Sequence, residues 1–207
     1  MMTAIRSSVV AVVALLLVQL AWAQSSASVD EMVRALRGGG YVIVVRHGGT
    51  HADQADTDPL NLENVAKQRQ LNDQGRAQAR VVGEVLKANG VPIGKAYSSR
   101  FQRAVDTARL IAGKEPQPSL DVTEGGLVVS PNENDRRTQA LRALIATAPD
   151  PGTNTLIVSH KPNIVDALGK DWFEIREGEA SIFKPDGAGK AALIGRVQIK
   201  DWEKAKK

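Results

Sequence analysis

Two short apolar runs constrain the fold of this chain more than any other feature. Tyr41-Val42-Ile43-Val44-Val45 and Thr155-Leu156-Ile157-Val158-Ser159 are rich in β-branched residues and do not alternate with charged ones. That pattern predicts strands buried on both faces, the kind found in a parallel sheet with helices on either side. Helical spacing between the runs agrees. Helices are predicted over Val29–Leu36, Asp73–Asn89, Gln102–Ala112 and Asn163–Leu168, and over a segment capped by Asn134 or Asp135 that runs to Ala146. Asp73 is the expected cap of the second helix, with Ala77, Val81, Val85 and Leu86 facing inward. Leu141, Leu144 and Ile145 are the expected inward face of the fourth. Ala96–Ser98 reads as a short strand. Ala180–Lys184 and Ala191–Ile199 read as two more, joined by a turn at Pro185-Asp186-Gly187. The expected fold class is α/β, a three-layer α/β/α sandwich around a mostly parallel central sheet.

The N-terminus reads as an address. Arg6 is followed by an unbroken apolar run from Val9 to Val18, then by the small-x-small site Ala21-Trp22-Ala23. This is the order of a secretory signal peptide, and the run is too short to favour a spanning helix. The expectation is a signal peptide over residues 1–23, cleaved after Ala23, and a single domain over 24–207. The product would be periplasmic or secreted, with no stable membrane anchor after cleavage. Export would separate it from ATP and from cytosolic metabolites.

Composition narrows the chemistry. The 207 residues contain no cysteine, which excludes a disulfide scaffold, a thiolate metal site and a cysteine nucleophile. The formal charge of +4 suits an anionic ligand. Dense Lys/Arg runs are missing and aromatic residues make up only 4%, so nucleic acid is not an expected partner. No cofactor and no metal site are expected. His47 and His51 have a zinc-like spacing, but Gly48-Gly49 follows a strand rather than a helix. Gly90–Ala96 has a P-loop-like look, but the spacing is one short and the Ser/Thr is missing. Nothing in the sequence specifies an oligomeric state.

Both apolar strands end in a histidine: Arg46-His47-Gly48 and Ser159-His160-Lys161-Pro162. Ligands of open α/β sheets sit at the carboxyl ends of strands, so two of the chain's three histidines point to one edge. A third element, Ser98-Ser99-Arg100-Phe101-Gln102-Arg103, follows a strand and opens a helix. Arg103 falls in that first turn, where the helix dipole disfavours a cation unless an anion binds there. Arg46 and Arg103 are therefore candidates to clamp one phosphate. Arg100 reads as a surface charge. Lys161 is either solvated or adds charge at the pocket mouth.

Arg46-His47-Gly48, the Ser-x-x-x-Arg-Ala-x-x-Thr-Ala stretch from Ser99 to Ala108, and Ser159-His160-x-Pro together resemble the histidine phosphatase superfamily, which has the phosphoglycerate-mutase-like fold. Leu71–Ala79 is similar to that family's first helix. The resemblance implies His47 as a nucleophile that forms a phosphohistidine. It implies a phosphate pocket of Arg46, Arg103 and His160, with His160 cationic or at least a donor. Glu124, in Thr123-Glu124-Gly125-Gly126, matches the position of the family's proton donor, with Glu133 and Asp53 as competitors. Thr50 and Asn61 are candidates for further phosphate hydrogen bonds. The sequence departs from the family pattern where Gly49 precedes Thr50 and where Lys161 follows His160.

The activity so implied is an exported, metal-independent phosphomonoesterase acting on a phosphorylated small molecule or envelope glycan. Export argues against mutase chemistry on glycolytic substrates. Lys161 and the short chain argue against a phytase. The alternatives are a phosphoester-binding protein that lost turnover and an envelope interaction domain that ignores the pocket.

Overall fold

The computed structural model describes residues 28–125 and 128–205. The expected signal peptide over 1–23 lies outside the described residues, as does Gly126. The elements run α1 (Val29–Leu36), β1 (Val42–Arg46), α2 (Asp73–Ala88), β2 (Ile93–Ser98), α3 (Gln102–Ala112), β3 (Gln117–Pro118), α4 (Pro131–Ala146), β4 (Asn154–Ser159), α5 (Lys161–Leu168), β5 (Ala180–Pro185) and β6 (Ala191–Val197). A 3₁₀ segment, Ile199–Ala205, closes the chain.

One six-stranded sheet has the order β3-β2-β4-β1-β5-β6. β3, β2, β4 and β1 are mutually parallel, while β5 and β6 are antiparallel additions on one side. The expected three-layer α/β/α sandwich is present. Strand alternation splits the core in two. Ile43, Val45, Leu156 and Val158 face α1, α2, α3 and the C-terminal Trp202. Val42, Val44 and Ile157 face α4, α5 and Trp172. The apolar runs of β1 and β4 are explained by this: each must supply hydrophobic surface to both layers.

The structure corrects several local expectations. Asn72, not Asp73, caps α2, accepting a hydrogen bond from the Gly75 N–H. The inward face of α2 is Gly75, Ala79, Val82, Val85 and Leu86, while Ala77 is exposed. The helix is rotated because its first turn packs directly on the loop after β1. α4 begins at Pro131 with Ser130 as its cap, so Asn134 and Asp135 lie inside the helix. Proline at the helix start needs no N–H partner there, which lets Ser130 cap the earlier position. α5 begins at Lys161, directly after His160, because Pro162 is tolerated in a first turn. β6 ends at Val197, before the 3₁₀ tail.

The approach of α2 to the loop after β1 requires glycine. A Cβ on Gly75 would sit 2.2 Å from the Gly49 carbonyl oxygen and 2.7 Å from its nitrogen. The Asn72 N–H donates to the Gly49 oxygen at 3.0 Å, and the Gly48 N–H donates to Thr107 Oγ1 of α3 at 3.0 Å. The segment that carries His47 is thus held between two helices. Gly75→Ala is expected to lower stability by about 1–3 kcal/mol through overpacking. Gly38→Ala, whose nearest contact is an ordinary 3.6 Å, serves as the neutral control. Urea midpoints of the two variants check this.

Candidate active site

Three parallel strands deliver their carboxyl ends to one place. Arg46 pairs in register with Ser159, and Ser98 with Val158. The next residue on each strand is His47, His160 or Ser99. Backbone bonds extend the ladder past the strands, from the His47 N–H to the Ser159 oxygen and from the Ser99 N–H to the Val158 oxygen. The two histidine rings lie 5.0 Å apart, centroid to centroid, and both are buried. The sequence-derived pairing of His47 with His160 is therefore found in space.

His47 Nδ1 lies 2.8 Å from the Gly48 carbonyl oxygen. A carbonyl only accepts, so Nδ1 carries the proton and Nε2 carries the lone pair. Burial, with Arg103 and then Arg46 and Arg69 nearby, pushes His47 down to about 3. The ring is neutral at ordinary pH, with a free nucleophilic nitrogen. His160 is also driven well below the usual histidine range, first by burial and then by the charge of Arg103. That direction favours the donor option over the cationic one for this residue. Its Nε2 is 2.7 Å from Ser99 Oγ. Its Nδ1 faces Glu124 Oε1 at 3.1 Å, off the line of a hydrogen bond. A carboxylate there favours the Nδ1–H form, with Ser99 donating to Nε2.

Arg103 is fully buried in the first turn of α3. Its Nη1 donates to Asp56 Oδ1 at 2.9 Å, its Nη2 donates to Glu124, and its guanidinium lies 4.4 Å from the Phe101 ring centre. Arg46 donates from Nη1 to the Ile175 carbonyl at 2.8 Å and faces Glu177 at 3.5 Å. Burial lowers the Arg46 pKa from its ordinary value. Nε of Arg46, Nε of Arg103 and Nδ1 of His160 are buried with no hydrogen-bond partner among the described residues. Unsatisfied buried donors are costly, so they mark where an acceptor belongs.

Glu124 follows Thr123, whose carbonyl is fixed by Arg137 Nη1 at 3.0 Å and Asn163 Nδ2 at 3.2 Å. Its carboxylate joins Arg103 and His160, as the motif match suggested. The competitors are elsewhere. Glu133 is held by Arg136 and Arg137 on α4, which pull it down to about 2. Asp53 is exposed on the loop. Thr50 is buried and donates to Glu177 Oε1 at 3.2 Å, so it reaches the site through that carboxylate. Asn61 is exposed. It lines a cavity of about 290 Å³ with Glu124, and its backbone bonds stay within its own loop. Arg100 pairs with Glu63 at the surface, and Lys161 sits over the Phe173 ring.

Asp56, Arg69, Glu177 and Ser99 belong to the site and were not singled out as site residues from the sequence. Ser99 opens the Ser-x-x-x-Arg-Ala stretch, so its position is available from the sequence. Asp56 and Arg69 lie in a long polar loop with no motif, and Glu177 follows α5 at no recognisable spacing.

Residues 42–127 match the histidine phosphatase superfamily (branch 1). The chain is similar to the 2,3-bisphosphoglycerate-dependent phosphoglycerate mutase of Bradyrhizobium diazoefficiens, 38% identical over 94 residues. That match covers 45% of this chain and 42% of the mutase. The corresponding enzyme of Parvibaculum lavamentivorans is 30% identical over 45% of this chain and 41% of its own. The match thus spans less than half the length of these relatives. The protein histidine phosphatase SixA, solved with tungstate, shares the fold with a TM-score of 0.55 and 20% identity, over 78% of this chain and 98% of its own. A phosphoserine phosphatase mutant from Entamoeba histolytica, solved with phosphoserine, does so with a TM-score of 0.52 and 19% identity, over the same shares. Over residues 42–127, the region that carries His47 and the buried Arg103, the chain matches branch 1 of the histidine phosphatase superfamily.

Proposed function

We propose that this protein is an exported phosphomonoesterase that works through a phosphohistidine at His47 and needs no metal. The observation that carries the reading is the set of buried, unpartnered donors on Arg46, Arg103 and His160 around a neutral histidine whose Nε2 is free. A tetrahedral phosphate supplies the acceptors those donors lack. Export rests on the Arg6 to Ala23 pattern and favours hydrolysis over mutase chemistry. The substrate class is a phosphate monoester of a small molecule or envelope glycan, and the domain is residues 24–207.

In the first step, His47 Nε2 attacks phosphorus while the bond to the leaving oxygen breaks. The electron pair goes to that oxygen, which takes a proton from the Glu124 carboxyl group and departs as an alcohol. The arriving phosphate monoanion takes over the Arg103 fork that Glu124 holds in the free protein and gives its own proton to Glu124, which then passes it to the leaving oxygen. Arg46, Arg103 and His160 stabilise the charge spread over the non-bridging oxygens. In the second step, water gives a proton to the Glu124 carboxylate and attacks phosphorus. The P–N bond breaks, and His47 recovers its lone pair. Asp56 holds Arg103 from the other side, and Glu177 orients Arg46 and Thr50.

Purified protein is expected to release phosphate from p-nitrophenyl phosphate in the presence of EDTA. His47→Ala should lose at least about 10³-fold of kcat. Survival of activity in His47→Ala, or its loss with chelator, overturns the mechanism. Glu124→Gln should cost about 10²-fold or more on an alkyl phosphate and much less on p-nitrophenyl phosphate, whose leaving group needs no proton. Asp53→Asn and Glu133→Gln should show no such dependence on the leaving group.

The low His47 pKa sets the sign of two pH effects. The nucleophile stays unprotonated as the pH falls through 6.5, so its acid limb in kcat/KM lies near 3. Stability moves in the same window. Below about 6.5 the unfolded chain takes up a proton that the folded protein refuses until about 3, so stability falls as the pH drops. Urea midpoints at pH 7 and pH 4 should differ less in His47→Asn than in the wild type.

A further inference from the structure

Arg69 has no counterpart in the mechanism, yet the structure builds it into the site. Its backbone N–H donates to Asp56 Oδ1 at 2.9 Å, the same oxygen that accepts from Arg103 Nη1. On one side, Gln68 is buried, and its Oε1 accepts the Gln102 N–H that opens α3 at 2.7 Å. On the other, the Gln70 carbonyl accepts the His51 N–H, and Leu71 bridges to Thr50. The backbone of Arg69 is thereby fixed between the first turn of α3 and the loop after His47. Its charge acts on His47, His160 and Arg46 alike.

The side chain is left without a partner. Glu177 faces Arg46, while Asp56 and Glu124 hold Arg103. Among the described residues no hydrogen bond or ion pair engages the Arg69 guanidinium. An unpaired cation beside two other guanidiniums is electrostatically unfavourable unless an anion arrives. Arg46, Arg103 and His160 already offer buried, unpartnered donors to one phosphoryl group. Arg69 is also the more exposed: Arg103 is fully buried, whereas Arg69 is only partly so and comes from the loop at the mouth.

We infer that Arg69 is a specificity-determining residue that binds a second, non-transferred anionic group on the substrate, a carboxylate or a further phosphate. The inference rests on the phosphatase reading for its choice of site, but its test does not need turnover. The rigid backbone lets the guanidinium meet a planar carboxylate or a phosphate with little ordering cost.

The probes are 3-phosphoglycerate and glycerol 3-phosphate, which differ in a carboxylate against a hydroxymethyl group. Binding is measured by calorimetry on full-length His47→Ala protein, with Arg69 intact, as Arg69→Gln and as Arg69→Lys. Melting curves confirm that each variant is folded. With Arg69 intact, 3-phosphoglycerate should bind at least about tenfold more tightly than glycerol 3-phosphate. Arg69→Gln should weaken 3-phosphoglycerate at least about tenfold more than glycerol 3-phosphate and so abolish that preference, and Arg69→Lys should keep part of it. Absence of the preference in the Arg69 protein overturns the inference. So does equal loss of both ligands in Arg69→Gln, which would make Arg69 a ligand of the phosphoryl group itself. Wild-type turnover of p-nitrophenyl phosphate is scored separately: its absence beside an intact preference overturns the phosphatase reading alone.

Discussion

The guanidinium of Arg103 is the interaction on which the site depends. It is fully buried in the first turn of a helix, where the backbone dipole opposes a positive charge. Asp56 and Glu124 make that placement tolerable, each bonding one Nη. The two carboxylates come from chain segments far apart, one in the loop after β1 and one before α4. Truncating either would leave a buried charge short of a partner, which is more costly than never having built the pair. The two histidines feel the same charge. Arg103, after burial itself, is the largest influence keeping both rings unprotonated.

The sheet supplies the other constraint. Parallel pairing of β2, β4 and β1 forces their carboxyl ends to one edge, so Ser99, His160 and His47 are neighbours without any bond between their side chains having to arrange it. Hydroxyls then lock the loops to this frame. Thr107 ties Gly48 to α3, Ser159 Oγ donates to the Val122 carbonyl, and Thr123 Oγ1 accepts from Arg100. The segments that bear Arg46, His47, Arg103 and Glu124 are thus all tied to secondary structure by short-range polar contacts.

Much of this was legible in the chain. Val42 to Val45 and Leu156 to Val158 declare strands buried on both faces, and the histidines that follow them declare an edge. α3 was readable to the residue, over Gln102–Ala112, directly after the Ser98-Ser99 strand end. Local pattern failed where packing decides. α2 is rotated by the contact of Gly75 with Gly49, and no period in its sequence encodes that contact. Ser130 caps α4 because Pro131 can open a helix, a possibility that Asn134 and Asp135 obscured. Asp56 and Arg69 fall in the loop over residues 50–70, whose length and polarity mark it as pocket-lining, but neither they nor Glu177 stand out individually, because their partners lie far away in sequence. A charged residue in a polar loop looks solvated until the fold brings Arg103 or Arg46 against it.

The double carboxylate on Arg103 has a consequence for how firmly anything can be held there. An anion that reaches the Nη2 side of this guanidinium must compete with Glu124, and that carboxylate stands ready to return when it departs, while Asp56 keeps Nη1. In the phosphatase proposed above, the contact that lets the chain bury a charge would also cap the affinity for free inorganic phosphate, and the fold itself would limit product inhibition.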